Sequence, residues 1–288
     1  MDTTCVISDE TVAKLYPQSK PTYTFQPGEA SKTYATKIAI EEQLIKDGFG
    51  PDATIIGLGG GVTLDLAGFI ASTFCRGVRY IAIPTTLLAM VDAAIGGKNG
   101  INLAMRKNAI GTIYEPELII DPKYLLTLTD QDYLSGIAEM IKHALLYDPD
   151  LLDALHSPLL FKRDLSYLKK IIDRNIKIKR AIISINRDLL NFGHTVGHAL
   201  EMLQGIPHGF AVAKGMSIET RAFNGPDIDP ILKHFGFDLD IDIDIDLLWQ
   251  TMQLDKKKEG GALYATALSA IGKASQQEIT LAHFANYA

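Results

Sequence analysis

Ala53-Thr54-Ile55-Ile56-Gly57-Leu58-Gly59-Gly60-Gly61-Val62-Thr63-Leu64-Asp65 passes from a short apolar run, through three consecutive glycines, into residues with helical spacing. The run reads as a buried strand, and the glycines as the turn that launches a helix over Val62 to Phe74. Outward from it the same alternation repeats. Cys5-Val6-Ile7-Ser8 and Tyr80-Ile81-Ala82-Ile83-Pro84 read as strands, Leu118-Ile119-Ile120 as a further one, and Lys32 to Leu44 as an amphipathic helix. Short apolar strands alternating with helices are the pattern of a parallel sheet with crossover helices, so this part of the chain is α/β.

After about Thr129 the texture changes. The segments 131–147, 149–156, 163–184 and 192–203 keep a period of 3.6 with no strand run between them, and Asp130-Gln131-Asp132 can cap the first helix. The predicted organisation is an α/β domain over 1–129 and a mostly α-helical domain over 130–288. The 288 residues, 47% of them hydrophobic, have room for two modest domains. With 28 Lys plus Arg against 34 Asp plus Glu, a net charge of −6 and a pI near 5.6, the chain lacks the footprint of a phosphate-backbone binder. Nucleic acid is therefore excluded as the main partner. Asp238, Asp240, Asp242, Asp244 and Asp246 alternate with Leu and Ile and read as an extended edge with carboxylates in solvent. A calcium site is the sharper alternative, disfavoured because no EF-hand spacing or turn glycine accompanies them. Cys5 and Cys75 form no CxxC pair, and neither a signal peptide nor a membrane span is legible, so a cytoplasmic protein with no membrane partner is expected.

Three stretches carry groups suited to chemistry. In the opening stretch, glycines let the backbone approach a ligand and the helix start offers N–H groups to a pyrophosphate. GxGxxG would need glycine at Val62, so tight packing fits as well as ligand binding. Ile95-Gly96-Gly97-Lys98-Asn99-Gly100-Ile101-Asn102 is followed by Lys107 and Asn108 and preceded by Arg76, Thr85, Thr86 and Asp92. Cations and short polar groups beside glycine turns suit a phosphorylated or carboxylated small molecule, against the plainer reading of a solvated loop. Asn191-Phe192-Gly193-His194-Thr195-Val196-Gly197-His198-Ala199-Leu200-Glu201, then His208-Gly209, holds three of the seven histidines. His194 and His198, at i and i+4, share a helix face and can point at one ion or one substrate. A catalytic zinc set also needs a carboxylate, and no HExxH supplies one locally. Glu139 is the natural donor, although spacing alone reads Glu139 and Lys142 as a solvated i, i+3 ion pair.

Pro27-Gly28-Glu29-Ala30-Ser31-Lys32, Gly59-Gly60-Gly61-Val62 with Asp65-Leu66-Ala67-Gly68-Phe69, Arg76-Gly77-Val78, Pro84-Thr85-Thr86-Leu87-Leu88, Gly96-Gly97-Lys98, Lys107-Asn108, Ala138-Glu139-Met140-Ile141-Lys142, the GHTVGHALE of 193–201 and Asp255-Lys256-Lys257 follow one another along nearly the whole chain. In that order they resemble the motifs of the 3-dehydroquinate synthase family, sugar-phosphate cyclases of the shikimate pathway. The resemblance implies an NAD-binding N-terminal domain and a helical C-terminal domain, with metal and substrate in the cleft between them. It implies NAD contacts from Glu29, Lys32, Gly60, Gly61, Asp65, Thr85, Thr86, Lys107 and Thr127. Metal ligation falls to Glu139, His194 and His208, with zinc expected and cobalt as the alternative. Arg76, Asp92, Lys98, Asn108, Lys142, Lys179, Arg187, Asn191, His198 and Lys256 are the implied substrate contacts, His198 acting as proton shuttle. The implied reaction turns 3-deoxy-D-arabino-heptulosonate 7-phosphate into 3-dehydroquinate and phosphate by transient oxidation with NAD, phosphate elimination, reduction and aldol closure. A homodimer, or a piece of a multifunctional shikimate-pathway polypeptide, is the expected assembly.

Three departures from the family's pattern bear on activity more than on fold. Only Arg180 to Asn186 separates Lys179 from Arg187, where the family usually has an acidic stretch of DExExG type containing a proposed proton acceptor. Phe210 follows His208-Gly209 where a glutamate is usual, which removes a carboxylate near the metal. The N-terminus reads as beginning inside the nucleotide domain, with a short join between Tyr16 and Pro27. These departures keep two other readings open: a catalytically impaired relative serving as a binding or assembly protein, and another sugar-phosphate cyclase or an NAD-dependent polyol dehydrogenase.

Overall fold

A computed structural model describes residues 3–104, 106–240, 243–255 and 262–287. The chain divides into two compact units, Met1–Leu128 with Leu168–Ile172, and Thr129–Tyr167 with Asp173–Ala288.

The first unit runs β1 (Thr4–Asp9), α1 (Glu10–Leu15), β2 (Thr22–Phe25), α2 (Tyr34–Lys46), β3 (Thr54–Gly59), α3 (Gly61–Thr73), β4 (Arg79–Pro84), β5 (Lys98–Leu103), β6 (Arg106–Ile113) and β7 (Glu117–Leu118). Its five-stranded sheet has the order β2-β1-β3-β4-β7 with every pairing parallel, while β5 and β6 form a separate antiparallel hairpin. Cys5, Ile7 and Ile55 of the central strands belong to one buried cluster with Leu66, Ala67 and Ile70 of α3, which explains the apolar runs on both sides of the glycine turn. At the end of β1, Asp9 caps α1 by accepting the N–H groups of Thr11 and Val12, and Thr63 of α3 donates to its other oxygen at 3.3 Å.

Three local expectations shift. The helix expected from Lys32 starts at Tyr34, because Glu29–Ser31 forms a 3-10 turn and Thr33 is the N-cap, accepting from the Thr36 N–H at 3.2 Å. The strand expected over Leu118-Ile119-Ile120 is the two-residue β7. In the join between Tyr16 and Pro27 stands β2, too short at four residues to announce itself.

The second unit contains α4 (Asp130–Tyr147), α5 (Asp150–Leu155), α6 (Pro158–Phe161), most of α7 (Leu165–Asn186), α8 (His194–Gln204), α9 (His208–Ala222), α10 (Asp229–His234) and α11 (Ile245–Asp255). An antiparallel hairpin, β8 (Leu263–Ala270) and β9 (Lys273–Ile279), adds to the mostly helical domain. Its Leu263, Ala265 and Ile279 pack with Val196 and Leu200 of α8 and Leu248 and Met252 of α11. Thr129 caps α4 by accepting the Asp132 N–H at 3.1 Å, and Asp130 and Asp132 place negative charge at the helix start. Tyr133 and Ser135 to Leu146 are buried without interruption, so α4 is enclosed on all sides and its polar residues need internal partners. Of the aspartate tract, Asp238 and Asp240 are exposed around a buried Leu239, as alternation predicts, but the described residues of the tract form no strand and α11 starts at Ile245. Ile241 and Asp242 lie outside the described residues. Among the described residues no helix is long and apolar enough to cross a membrane.

Helix α9 touches its neighbours at backbone distance. A Cβ on Gly215 would lie 2.0 Å from the Gly193 carbonyl oxygen of the turn entering α8, and one on Gly209 would lie 2.3 Å from Ser135 Cα on α4. Gly215→Ala is expected to destabilise the protein by about 1–3 kcal/mol in denaturant unfolding, although alanine favours a helix by roughly 1 kcal/mol. Gly50→Ala, whose Cβ would meet only Asp52 Oδ1 at 3.6 Å, is expected to stay within about 0.5 kcal/mol of the parent. Equal stability of Gly215→Ala and the parent would contradict the α8–α9 contact.

Candidate functional site

Glu139 sits at the middle of α4 with 0% exposure, and Lys142 one turn later has 1%. The solvated ion pair that spacing suggested is a buried one: Lys142 Nζ is in contact with Glu139 Oε2. Two imidazoles turn to the same carboxylate, His194 Nε2 at 3.5 Å and His208 Nε2 at 3.8 Å from Oε1. One ligand atom from each of Glu139, His194 and His208 lies within 4.8 Å of the others. Among the described residues neither Glu139 oxygen accepts a regular hydrogen bond, and both are buried. A carboxylate enclosed in that way calls for a cation, and one carboxylate with two imidazoles is the donor set of a catalytic zinc site with open positions. The residues fit a divalent metal.

Both histidines are oriented by their other nitrogen. His194 Nδ1 bonds the Phe192 carbonyl at 3.0 Å, which assigns the proton to Nδ1 and leaves Nε2 a lone pair. Burial, then the charges of Lys142, His208 and His198, push its pKa well below the usual imidazole value. His208 Nδ1 lies 3.3 Å from Glu201 Oε2. Burial disfavours the charged His208 ring, but the Glu201 hydrogen bond and the Glu139 and Glu201 carboxylates outweigh it and raise its pKa. Glu201 is absent from the candidates drawn from the sequence. Its signal is the spacing on α8: seven residues after His194, it returns to the same face. It supplies a carboxylate beside His208 where Phe210 offers none, the Phe210 ring packing instead on Phe237 with centroids 5.4 Å apart.

Of the other candidates in this unit, His198 lies beside the cluster, its ring centroid 5.3 Å from His194 and 6.1 Å from His208. Lys179 is buried on α7, Arg187 is half-buried in the 3-10 turn Arg187–Asn191, and Asn191 is exposed at its end. Where the acidic stretch is missing, α7 runs on to Asn186, whose side chain accepts the Asp188 N–H. Lys256 lies outside the described residues.

In the first unit the structure gathers a second set of candidates. Lys32, 3% exposed, pairs with Asp65 of α3 and donates to Asn108 Oδ1 at 2.5 Å. Burial raises the Asp65 pKa against the opposing pull of Lys32. Asn102, read only as part of a glycine-rich stretch, ties this set together: it donates to Glu29 Oε1 at 2.8 Å and accepts the Asn108 N–H at 2.8 Å. Glu29, Asn102, Arg106 and Lys107 line a cavity of about 510 Å³ together with Thr33 and Tyr34. The glycine run divides by function. A Cβ on Gly59 would fall 2.4 Å from Thr63 Oγ1, a packing constraint, whereas Gly60 and Gly61 open α3 with no side-chain cap and nothing nearer than 3.1 Å. Thr85 N–H bonds the Gly59 carbonyl at 2.9 Å, and Thr86 Oγ1 accepts the Ala89 N–H, so both threonines stand at the strand ends beside that turn. Thr127 Oγ1 shares a 2.6 Å hydrogen bond with the Tyr16 hydroxyl. Asp92 lies on a π-helical turn, Ala89–Ala93, and Arg76 and Lys98 are exposed.

Residues 22–135 match the profile of a family described as 3-dehydroquinate synthase N-terminal, and residues 136–258 match its C-terminal counterpart. A 3-dehydroquinate synthase of Chlamydia felis (strain Fe/C-56) is 47% identical over 209 residues, 69% of this chain and 55% of the relative. The chain spans about half the length of the curated relatives it matches. The structure of 2-epi-5-epi-valiolone synthase from Streptomyces hygroscopicus subsp. jinggangensis 5008, with NAD+ and Zn2+ bound, matches with a TM-score of 0.87 at 25% identity, over 98% of this chain and 89% of its own. A 2-deoxy-scyllo-inosose synthase complexed with carbaglucose-6-phosphate, NAD+ and Co2+ matches with a TM-score of 0.86 at 26% identity, over 99% of this chain and 89% of its own. Adjoining matches to both halves of one family, spanning 22–258 and meeting between α4 residues Ser135 and Gly136, establish that the chain belongs to the 3-dehydroquinate synthase family.

Proposed function

We propose that the chain acts as a 3-dehydroquinate synthase in the cytoplasm, converting 3-deoxy-D-arabino-heptulosonate 7-phosphate to 3-dehydroquinate and phosphate with NAD and a divalent metal, zinc or cobalt. The observation that carries this reading is the buried Glu139 carboxylate with His194 and His208 turned to it, in a chain that matches both halves of the family. The NAD+ and Zn2+ or Co2+ of the two solved relatives support the cofactors.

Glu139, His194 and His208 would hold the metal. Glu29, Lys32, Gly60, Gly61, Asp65, Thr85, Thr86, Lys107 and Thr127 would hold the dinucleotide, with its pyrophosphate at the uncapped first turn of α3. When bound, the metal supplies Lewis-acid polarisation of substrate hydroxyls and NAD a reversible hydride acceptor. His198 holds the alcohol proton on an imidazole nitrogen, beside the two ligand histidines but free of their role. Lys142 fixes the Glu139 carboxylate from the side of Oε2 and presents a cation to an anionic substrate. Arg76, Lys98, Lys179, Arg187 and Lys256 are assigned to the phosphate and carboxylate groups, and Asp92, Asn108 and Asn191 to further polar contacts with the substrate.

Incubated with the heptulosonate phosphate, NAD and zinc, the purified chain is expected to release inorganic phosphate and to give dehydroquinate by NMR. No release with any divalent metal, while a full-length relative works in parallel, would contradict the proposal; a different cyclic product would mark another sugar-phosphate cyclase. Glu201→Gln keeps the size of the side chain behind His208 and removes its charge. Zinc affinity by equilibrium dialysis is expected to fall about 10- to 100-fold, and unchanged affinity would mean that Glu201 does not orient the His208 ring.

A further inference from the structure

Helix α8 starts at the metal-ligand candidate His194 but has no cap of its own. Its N-cap is Gly193, held at φ 75° and without a side chain. A Cβ there would lie 2.5 Å from Met216 Cγ and 2.7 Å from the Val212 carbonyl oxygen, so no capping serine, threonine or aspartate can occupy the position. The missing cap comes from the neighbouring helix. Glu219 of α9, 0% exposed, accepts the Gly193 N–H at 2.8 Å through Oε2 and the Val196 N–H at 3.1 Å through Oε1. These are the N-cap and N3 amides, the two donors that a capping box satisfies with separate side chains. Here a single carboxylate from another helix takes both, and the two bonded amides bracket His194.

We propose that Glu219 is a positioning residue for the metal centre: a cap supplied across the α8–α9 contact that sets the first turn of α8 and thereby aims His194 Nε2 at Glu139. Three features make the cap specific to this task. Its negative charge meets the positive end of the α8 dipole inside the protein, where screening is weak. It grips the backbone on either side of the ligand, so a rotation of the first turn that moved His194 away from Glu139 would break both hydrogen bonds. Its own helix begins with His208, about three turns earlier on the same face, so α9 carries one ligand and holds the helix of the other. Glu201, reaching from the far part of α8 to His208 Nδ1, completes the exchange in the opposite direction.

This inference rests on the metal reading of Glu139, His194 and His208, and the test separates the two. Co2+ is titrated into the parent chain and into Glu219→Gln, following the visible d–d absorption, with far-UV circular dichroism to verify folding and NAD binding as a readout remote from α8. The amide of Glu219→Gln can accept from one N–H but turns an NH2 toward the other and brings no charge. It is expected to retain helix content and NAD affinity, to bind Co2+ about 10-fold or more weakly, and to show an altered d–d band. A folded Glu219→Gln with the parent's Co2+ affinity and spectrum overturns the inference while leaving the metal centre standing. A parent chain that takes up no Co2+ overturns the metal reading, and this inference with it. If Glu219→Gln does not fold, hydrogen exchange on the parent decides: because coupling is reciprocal, Co2+ must slow exchange of the Gly193 and Val196 amides, and unchanged exchange of both overturns the role of Glu219.

Discussion

A carboxylate removed from water and given no regular hydrogen bond is among the costlier things a protein core can contain, and among the described residues Glu139 is one. The rest of the second unit is arranged around it. Lys142 offsets part of the charge from the same helix, and two imidazole Nε2 atoms approach from α8 and α9. Those approaches need helices that touch at backbone distance, which is what Gly209 against Ser135 and Gly215 against Gly193 permit. The tautomers that leave Nε2 available are held in turn by the Phe192 carbonyl and by Glu201. Packing, protonation and side-chain geometry thus answer to one buried charge.

The first unit works differently, through exposed backbone rather than enclosed charge. Gly57 and Gly59 answer to packing against Ala67, Tyr80 and Thr63, and Gly60 and Gly61 leave the start of α3 uncovered. Beside them, a polar chain from Glu29 through Asn102 and Asn108 to Lys32 and Asp65 joins a 3-10 turn, the β5–β6 hairpin and α3. An uncapped helix start flanked by such a network suits an extended anionic ligand.

Much of this was legible in the sequence, for physical reasons that differ by element. β1, β3, β4 and the helices α3, α4 and α7 have strong local periods, so their positions read directly. β2 is short, β5 and β6 are rich in glycine and amides, and β8 mixes small and polar residues; strands of that composition are held by pairing and packing rather than by a local apolar period, which a periodic reading does not see. The i, i+4 spacing of His194 and His198 allows one ion or one substrate as their common target; that His208 rather than His198 approaches Glu139 together with His194 is a tertiary fact which that spacing does not carry. Spacing misjudged Glu139 and Lys142 as solvated because burial is set by what packs around α4. Glu201 and Glu219 escaped for the same reason: each looks like an ordinary helical glutamate until the facing helix is in place.

The buried carboxylate has its purpose if Glu139, His194 and His208 bind one divalent ion. Equilibrium dialysis of the purified chain and of His208→Ala against zinc, with bound metal counted by mass spectrometry, addresses this without reference to turnover. The parent is expected to hold one zinc per chain and His208→Ala to lose it while keeping its helix content. A parent that binds no zinc, or a folded His208→Ala that binds it as tightly as the parent, would contradict the account.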